Sequence, residues 1–297
     1  MEKQEKQGSE QQIQRCCLRL KKNVVLPHQL VPKLEELMAI PELKSLESDP
    51  NPKLAIISKD WTFRGLVTSI FSYLNELEEK KLVDNDFFRH STSVTEISLR
   101  IAREIKLELR IAKEHEEETA KRRGQKVEEK KVNSELEEIN LEDLLLSTLL
   151  HDIGKQVIPK KLWDIPKGVM KDEDWATIKS HVIYSSKFAR RLLQGILDDK
   201  KVEDISNFIH FHHERNDGRG YPHLLRGDEI YLCSKIMAVA DVYDALSNPR
   251  PYRPPSDNRT KKEALDFMRS EREAKQYDKR ILDAFIETIR KRTSTHV

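Results

Sequence analysis

The sequence predicts an all-α fold, a helical bundle preceded by a small, mainly helical N-terminal region. Three observations carry that prediction. Apolar residues recur at three- and four-residue steps along most of the chain, as amphipathic helices require. Glycine and proline, 9 and 12 of 297 residues, concentrate between those stretches, at 217–222 and 249–255. No convincing sheet pattern, internal repeat or low-complexity tract breaks the helical periodicity.

Taken in order, residues 1–17 are polar and aperiodic and read as a frayed start. A short β-like run, Leu18–Leu26, ends at Pro27, and Pro32 opens a helix that carries Leu34, Leu37 and Met38 to Pro41. After a loop at 50–52, Asp60 to Leu82 forms a strong amphipathic helix with Phe63, Leu66, Val67, Ile70, Phe71, Leu74 and Leu77 on one face. That face is wide enough to make a homodimer. Residues 1–80 are therefore expected as a separate region of unassigned role, and 81–297 as the main domain. The next helix, Asn85 to Leu109, has Phe87, Val94, Ile97 and Ile101 on its inner stripe. It leads into 113–138, where 16 of 26 residues are charged. Apolar positions there are too sparse for a coiled-coil seam, so a solvated helical insertion is expected over a partner-binding arm. Asn140 caps a helix through Leu149, and further helices are expected at Glu173–Leu193, Lys201–His212, Glu229–Ser247, Lys261–Arg269 and Lys279–Lys291.

Composition excludes several classes. Apolar residues make up 37% and charged residues 35%, and no apolar run approaches the ~20 residues of a spanning helix. The N-terminus has no apolar core of a secretory signal. A net charge of +2 gives no general case for binding a nucleic-acid polymer or a membrane surface. Cys16 and Cys17 are adjacent and Cys233 is remote, which is neither a disulfide framework nor a thiolate zinc site; a reducing cytoplasm is expected.

Histidine carries the signal. Eight of ten His fall between residues 90 and 223. His90 lies three residues after Phe87 and four before Val94, on the buried stripe, with Asp86 one turn earlier. His151 and Asp152 end the apolar run LSTLLHDIGK, and His181 follows Ile178 by three. His212 and His213 end another helix, and Asp241 is embedded in the apolar segment MAVADVYDAL. A single inward His is ordinarily a hydrogen-bonded core residue. Five of them with two carboxylates, left without strong partners, would cost more than a domain's net stability. Divalent metal is the economical partner, and the mixed imidazole and carboxylate set suits iron, manganese or zinc. The supply exceeds one site, so two metals are expected, with Asp152 bridging them. Such a pair clamps the oxygens of an in-line displacement and generates hydroxide at neutral pH, which suits a phosphate ester. Lys155, three residues after the dyad, is placed to contact phosphate; for Arg250 and Arg253, spacing alone leaves phosphate contact and helix capping evenly balanced.

HDIGK at 151–155, HHERNDGRGYP at 212–222 and AVADVYDAL through RPYR at 238–253 resemble the signatures of the HD-GYP family, metal-dependent phosphodiesterases that hydrolyse the bacterial second messenger cyclic di-GMP. The resemblance covers about 82–290, with RHSTSV at 89–94, KSH at 179–181 and YDKRILDAFI at 277–286 as further matches. The dyad alone marks a broad phosphohydrolase superfamily; the string ending in GYP, at its spacing, is specific. The resemblance implies an HD-GYP-type helical bundle from a bacterial parent. It implies His90, His151, Asp152, His181, His212, His213 and Asp241 as ligands of two divalent ions, iron or manganese. It sets Lys155 on the scissile phosphate and Gly220, Tyr221, Asp244, Arg250 and Arg253 around the dinucleotide, with linear pGpG, GMP or both as products. Glu214 and Asp217 are expected to brace the loop. Family members with a third metal have Glu where this chain has Asp86, one methylene shorter, and the charged insertion and Tyr184 are placed to cover or narrow the site. Two readings compete with hydrolysis of cyclic di-GMP: a receptor or adaptor that binds it without turnover, and a phosphodiesterase for another cyclic dinucleotide. Protein partners would meet the N-terminal region or the insertion.

Overall fold

Helical periodicity becomes helix wherever a cap and a buried face coincide. The computed structural model describes residues 63–79, 81, 86–123, 139–163, 165, 169–248, 259–270 and 272–294. In chain order the helices are α1 (Phe63–Glu79), α2 (Phe87–Arg123), α3 (Leu141–Leu150), α4 (Asp172–Lys179), α5 (His181–Leu193), α6 (Asp199–His210), α7 (Leu232–Ser247), α8 (Lys261–Arg269) and α9 (Lys279–Ser294). Short 3-10 turns follow α3 at Ile153–Val157 and Lys160–Leu162. No strand occurs among the described residues, and no helix there is long and apolar enough to cross a membrane. The expected elements at 18–26 and 32–41, Cys16 and Cys17, the 249–255 loop with Arg250 and Arg253, and the insertion from 124 to 138 all lie outside the described residues.

Asn140 Oδ1 accepts from the backbone N–H groups of Glu142 and Asp143, at 2.9 and 3.2 Å, and starts α3 where the sequence places it. Asp198 Oδ1 caps α6 through Lys201 N at 2.9 Å, two residues before the expected start. The helix expected over 85–109 continues into the solvated helical stretch expected from 113 and ends at Arg123, with Lys113–Glu117 and Glu118–Arg122 as i,i+4 pairs of opposite charge. One element differs in kind from expectation. The single helix expected over Glu173–Leu193 is two, broken at Ser180, whose hydroxyl donates to Thr177 O at 2.6 Å. That break re-aims the chain so that His181 opens α5 facing inward.

One hydrophobic core joins α1, α2, α3, α5, α6, α7, α8 and α9. Leu66, Val67, Ile70, Phe71, Leu74 and Leu77 of α1 are all buried inside it. The face that the sequence offers for dimerisation is therefore covered within the chain. At about 1.5–3 kcal/mol for each large apolar side chain, that face contributes on the order of a domain's whole net stability. Tyr73 of α1 donates its hydroxyl to Gln156 Oε1 at 3.0 Å, next to Lys155, so α1 buttresses the functional segment directly.

Candidate metal centre

Three of the candidate histidines sit where a helix ends, and each uses the end in the same way. The last carbonyls of a helix lack an N–H from the following turn. His151 Nδ1 takes up Thr148 O at 2.7 Å at the end of α3, His181 Nδ1 takes up Ile178 O at 2.7 Å beyond α4, and His212 Nδ1 takes up Ile209 O at 2.6 Å beyond α6. A carbonyl only accepts, so Nδ1 carries the ring proton in each and Nε2 is left as a lone-pair donor pointing inward. His90, in the first turn of α2, reaches the same state through a carboxylate: its Nδ1 lies 2.7 Å from Asp244 Oδ2.

The Nε2 atoms converge on Asp152. Its Oδ2 lies 3.3 Å from His90 Nε2 and 3.4 Å from His151 Nε2, and its Oδ1 lies 3.2 Å from His181 Nε2. Asp241 Oδ1 is 3.1 Å from His90 Nε2, and Oδ2 is 3.9 Å from His213 Nδ1. Two groups result, Asp152 with His181, His212 and His213, and His90 with His151 and Asp241; within each, the ligand atoms lie within 4.8 Å of one another. Nε2 of His151, His181 and His212, and Oδ1 of Asp152, are buried with no hydrogen-bond partner. Burying such atoms unsatisfied costs about 1–3 kcal/mol apiece. They are lone pairs facing lone pairs, which only a cation reconciles, so the residues fit divalent metal.

Charge agrees. Burial works against the ionised Asp152 carboxyl, yet Lys155 and His151 hold it well below the usual carboxylate range. Burial likewise opposes the charged Asp241, and the His90 imidazole beside it brings it well below the usual carboxylate range. Burial, reinforced by His213, His151 and His181, pushes His212 well below its ordinary value; burial also pushes His213 down. At neutral pH the carboxylates are ionised and these imidazoles neutral, the states in which they ligate metal.

Among the substrate-contact candidates, Lys155 Nζ donates to Asp152 Oδ2 at 2.5 Å and lies 5.3 Å from the centre of the Trp163 ring. Tyr221 rests against His213 with ring centres 4.8 Å apart. Gly220 allows this, because a Cβ there would fall 2.4 Å from Arg215 N and 2.5 Å from Glu214 Cα. Asp244, the remaining substrate-contact candidate among the described residues, is fully buried beside His90, where it also accepts from Arg89 Nη1 at 3.1 Å and Asn248 Nδ2 at 2.7 Å. Asp86, the candidate third-site ligand, is held by the Arg89 guanidinium through both carboxylate oxygens and belongs to neither metal-compatible group. Glu214 braces the loop through His223 N at 2.6 Å and Leu225 N at 3.0 Å, and Asp217 does so through Arg215 and Arg219 N. Tyr184 packs into the apolar clusters. His210 and His223 face each other at 3.1 Å in an exposed pair.

Sequence reasoning missed the supports: Arg89 and Asn248 around Asp244, and Ser185, whose Oγ accepts from Gly154 N at 2.8 Å where the turn after the dyad meets α5. Gly154 stands in the sequence as a signal for that approach, since a Cβ there would fall 2.3 Å from His181 O and 2.5 Å from Ser185 N. Gln156 and Tyr73 are 83 positions apart, and no local pattern announces their contact.

Residues 105–281 match the family model described as HD domain, well over half of the chain. A 3'3'-cGAMP-specific phosphodiesterase of Vibrio cholerae is 36% identical over 107 residues, 36% of this chain and 22% of that protein. A cyclic di-GMP phosphodiesterase of Pseudomonas aeruginosa is 39% identical over 108 residues, 36% of this chain and 24% of that protein. The chain thus spans about a quarter of the length of these curated relatives. Among solved structures, an HDG"Y"P protein of Bdellovibrio bacteriovorus aligns with 87% of this chain and 68% of its own at 18% identity and a TM-score of 0.46.

Proposed function

This chain belongs to the HD domain family, in its HD-GYP form, and on that premise we propose that it is a phosphodiesterase for cyclic di-GMP with a two-metal centre. The observation that carries the proposal is Asp152, whose two oxygens face two different sets of imidazole lone pairs. His90, His151 and Asp241 would hold one ion and His181, His212 and His213 the other, with Asp152 within reach of both; iron or manganese would suit this donor set. When bound, such a pair supplies Lewis acidity and an activated water for in-line displacement at phosphorus.

The chain's own residues do the rest. Lys155, held between Asp152 and the face of Trp163, presents its ammonium to the scissile phosphate as substrate enters and offsets charge that grows on its oxygens. Tyr221 keeps its hydroxyl proton, because burial first and then Asp241 and Asp152 push it well above its ordinary value, so it donates to the ligand. The resemblance of the RPYR segment assigns Arg250 and Arg253, outside the described residues, to the dinucleotide, with pGpG, GMP or both as products.

A second reading, hydrolysis of 3'3'-cGAMP, is favoured by the similarity to the 3'3'-cGAMP-specific phosphodiesterase of Vibrio cholerae. Anaerobic purification, a metal count, loading with ferrous iron or manganese and chromatography of both cyclic dinucleotides in competition decide between them. Loss of cyclic di-GMP with two metals per chain supports the first reading and preferential loss of 3'3'-cGAMP the second. Two tightly held metals with no turnover of either refute both and leave a receptor.

A further inference from the structure

Among the described residues, Lys179 is a cation without a carboxylate partner. It ends α4, two residues before His181, where i−4 is Trp175 and i+4 is Ile183. Other lysines on exposed helix faces pair at that spacing: Lys200 with Asp204 at 2.9 Å and Lys279 with Asp283 at 2.5 Å. Lys179 makes no such pair among the described residues. Its ammonium lies 5.5 Å from the centre of the Tyr221 ring. That ring is tilted against His213 at 4.8 Å and stands 6.5 Å from His181. The helix end favours a cation but does not direct it; the aromatic face does, by attraction to the ring quadrupole.

The site therefore has two lysine ammoniums, each over a different aromatic ring, Trp163 for Lys155 and Tyr221 for Lys179. Lys155 stands at Oδ2, the oxygen turned to His90 and His151. Lys179 stands at the ring of Tyr221, which rests against His213 and near His181, the imidazole that faces Oδ1. A cyclic dinucleotide carries two phosphodiester anions on opposite sides of one ring, and hydrolysis engages only one of them. We propose that Lys179 binds the phosphate that is not attacked, and so selects dianionic cyclic dinucleotides over substrates with a single phosphodiester. This rests on the reading of the centre as a cyclic dinucleotide phosphodiesterase.

The test compares cyclic di-GMP with bis(p-nitrophenyl) phosphate, a diester with no second anion, in the metal-loaded parent, Lys179→Gln and Lys179→Arg. K179Q raises KM for cyclic di-GMP about tenfold, the loss of one charge-assisted contact, with kcat and metal content unchanged. KM for the simple diester stays at the parent value, and K179R restores most of the loss. Calorimetric binding of cyclic di-GMP to chelator-treated protein weakens by a similar factor in K179Q, a readout independent of turnover. A parent active on cyclic di-GMP whose K179Q variant changes neither KM, or changes both equally, overturns this inference alone. A parent that cleaves the simple diester yet neither binds nor cleaves cyclic dinucleotides overturns it together with the reading beneath it.

Discussion

Asp244→Asn separates the two roles available to this carboxylate. As a substrate contact it would touch the dinucleotide; as the structure has it, it accepts from His90 Nδ1 at 2.7 Å, Arg89 Nη1 at 3.1 Å and Asn248 Nδ2 at 2.7 Å, with no exposed surface. Asparagine keeps the shape and removes the charge. With its amide nitrogen toward His90, it drives the ring proton from Nδ1 to Nε2, the atom 3.1 Å from Asp241 and 3.3 Å from Asp152, and a protonated Nε2 does not ligate. With the amide reversed, its nitrogen faces the donors of Arg89 and Asn248. Either orientation sets donor against donor in a buried place. Losing the outer carboxylate of a metal-bound imidazole costs about 10–100-fold in metal affinity, or about 1.4–2.8 kcal/mol. The loss falls on the group of His90, His151 and Asp241, while His181, His212 and His213 keep their supports. Calorimetric titration with manganese is expected to resolve two comparable sites in the parent and one weakened site in D244N. Two undisturbed sites with a raised KM for cyclic di-GMP would refute the positioning role and return Asp244 to the substrate.

Further substitutions probe other parts of the argument. The double variant His151→Ala/Asp152→Ala loses metal and hydrolysis together, while Lys155→Ala keeps its metal and loses rate; metal analysis beside turnover checks both, and parental activity in the double variant would remove the site assignment. Gly154→Ala sets a Cβ against the His181 carbonyl and the Ser185 amide, which are backbone and cannot step aside, so it destabilises by about 1–3 kcal/mol or more and weakens metal binding, measured by urea melts with and without manganese. Asp143 is buried, which raises its pKa from 3.8 to about 6 despite Lys201. The folded chain then holds a proton there that the unfolded chain has lost, so stability from this group falls as pH rises from about 4 to about 6 and stays low above. Asp143→Asn is therefore expected to be stabilised at pH 8 by up to about 3 kcal/mol relative to the parent and little changed near pH 4; equal effects at both values would contradict it.

Local chemistry was legible in the sequence and long-range support was not. Inward phase on a helix identified His90 and His181, and an apolar context identified Asp241, because periodicity reports which face is buried. Asn140 announced the start of its helix as a cap, with Leu141, Leu144, Leu145 and Leu149 following in helical phase. The break at Ser180 was hidden, since apolar positions continue in helical phase across 173–193 and a serine hydroxyl bonding back three residues leaves no mark on periodicity. The role of Asp244 was hidden for a different reason. It stands 154 positions from His90, and one turn beyond a ligand a carboxylate reads equally well as a substrate contact or a buttress. The helix α1 looked separable because its apolar face is complete in itself. Only the packing shows that the face is covered by the same core that carries the dyad.

Why Asp244 is needed at His90 and at none of the other three follows from where each histidine sits. His151, His181 and His212 stand at or just past the ends of α3, α4 and α6, where the carbonyl three residues back is free of the helix ladder and holds the ring by Nδ1. His90 is in the first turn of α2, and there the carbonyl three residues back, that of Phe87, already belongs to the ladder. No backbone acceptor is available to it, so the proton on Nδ1 must go to a side chain. Asp244, one turn after the ligand Asp241 on α7, is that acceptor, and Arg89 balances its charge. The arrangement puts α2 and α7 in mutual dependence. Anything that shifts α7 moves Asp241 and the orienting partner of His90 together, whereas the three helix-end histidines carry their orientation with them.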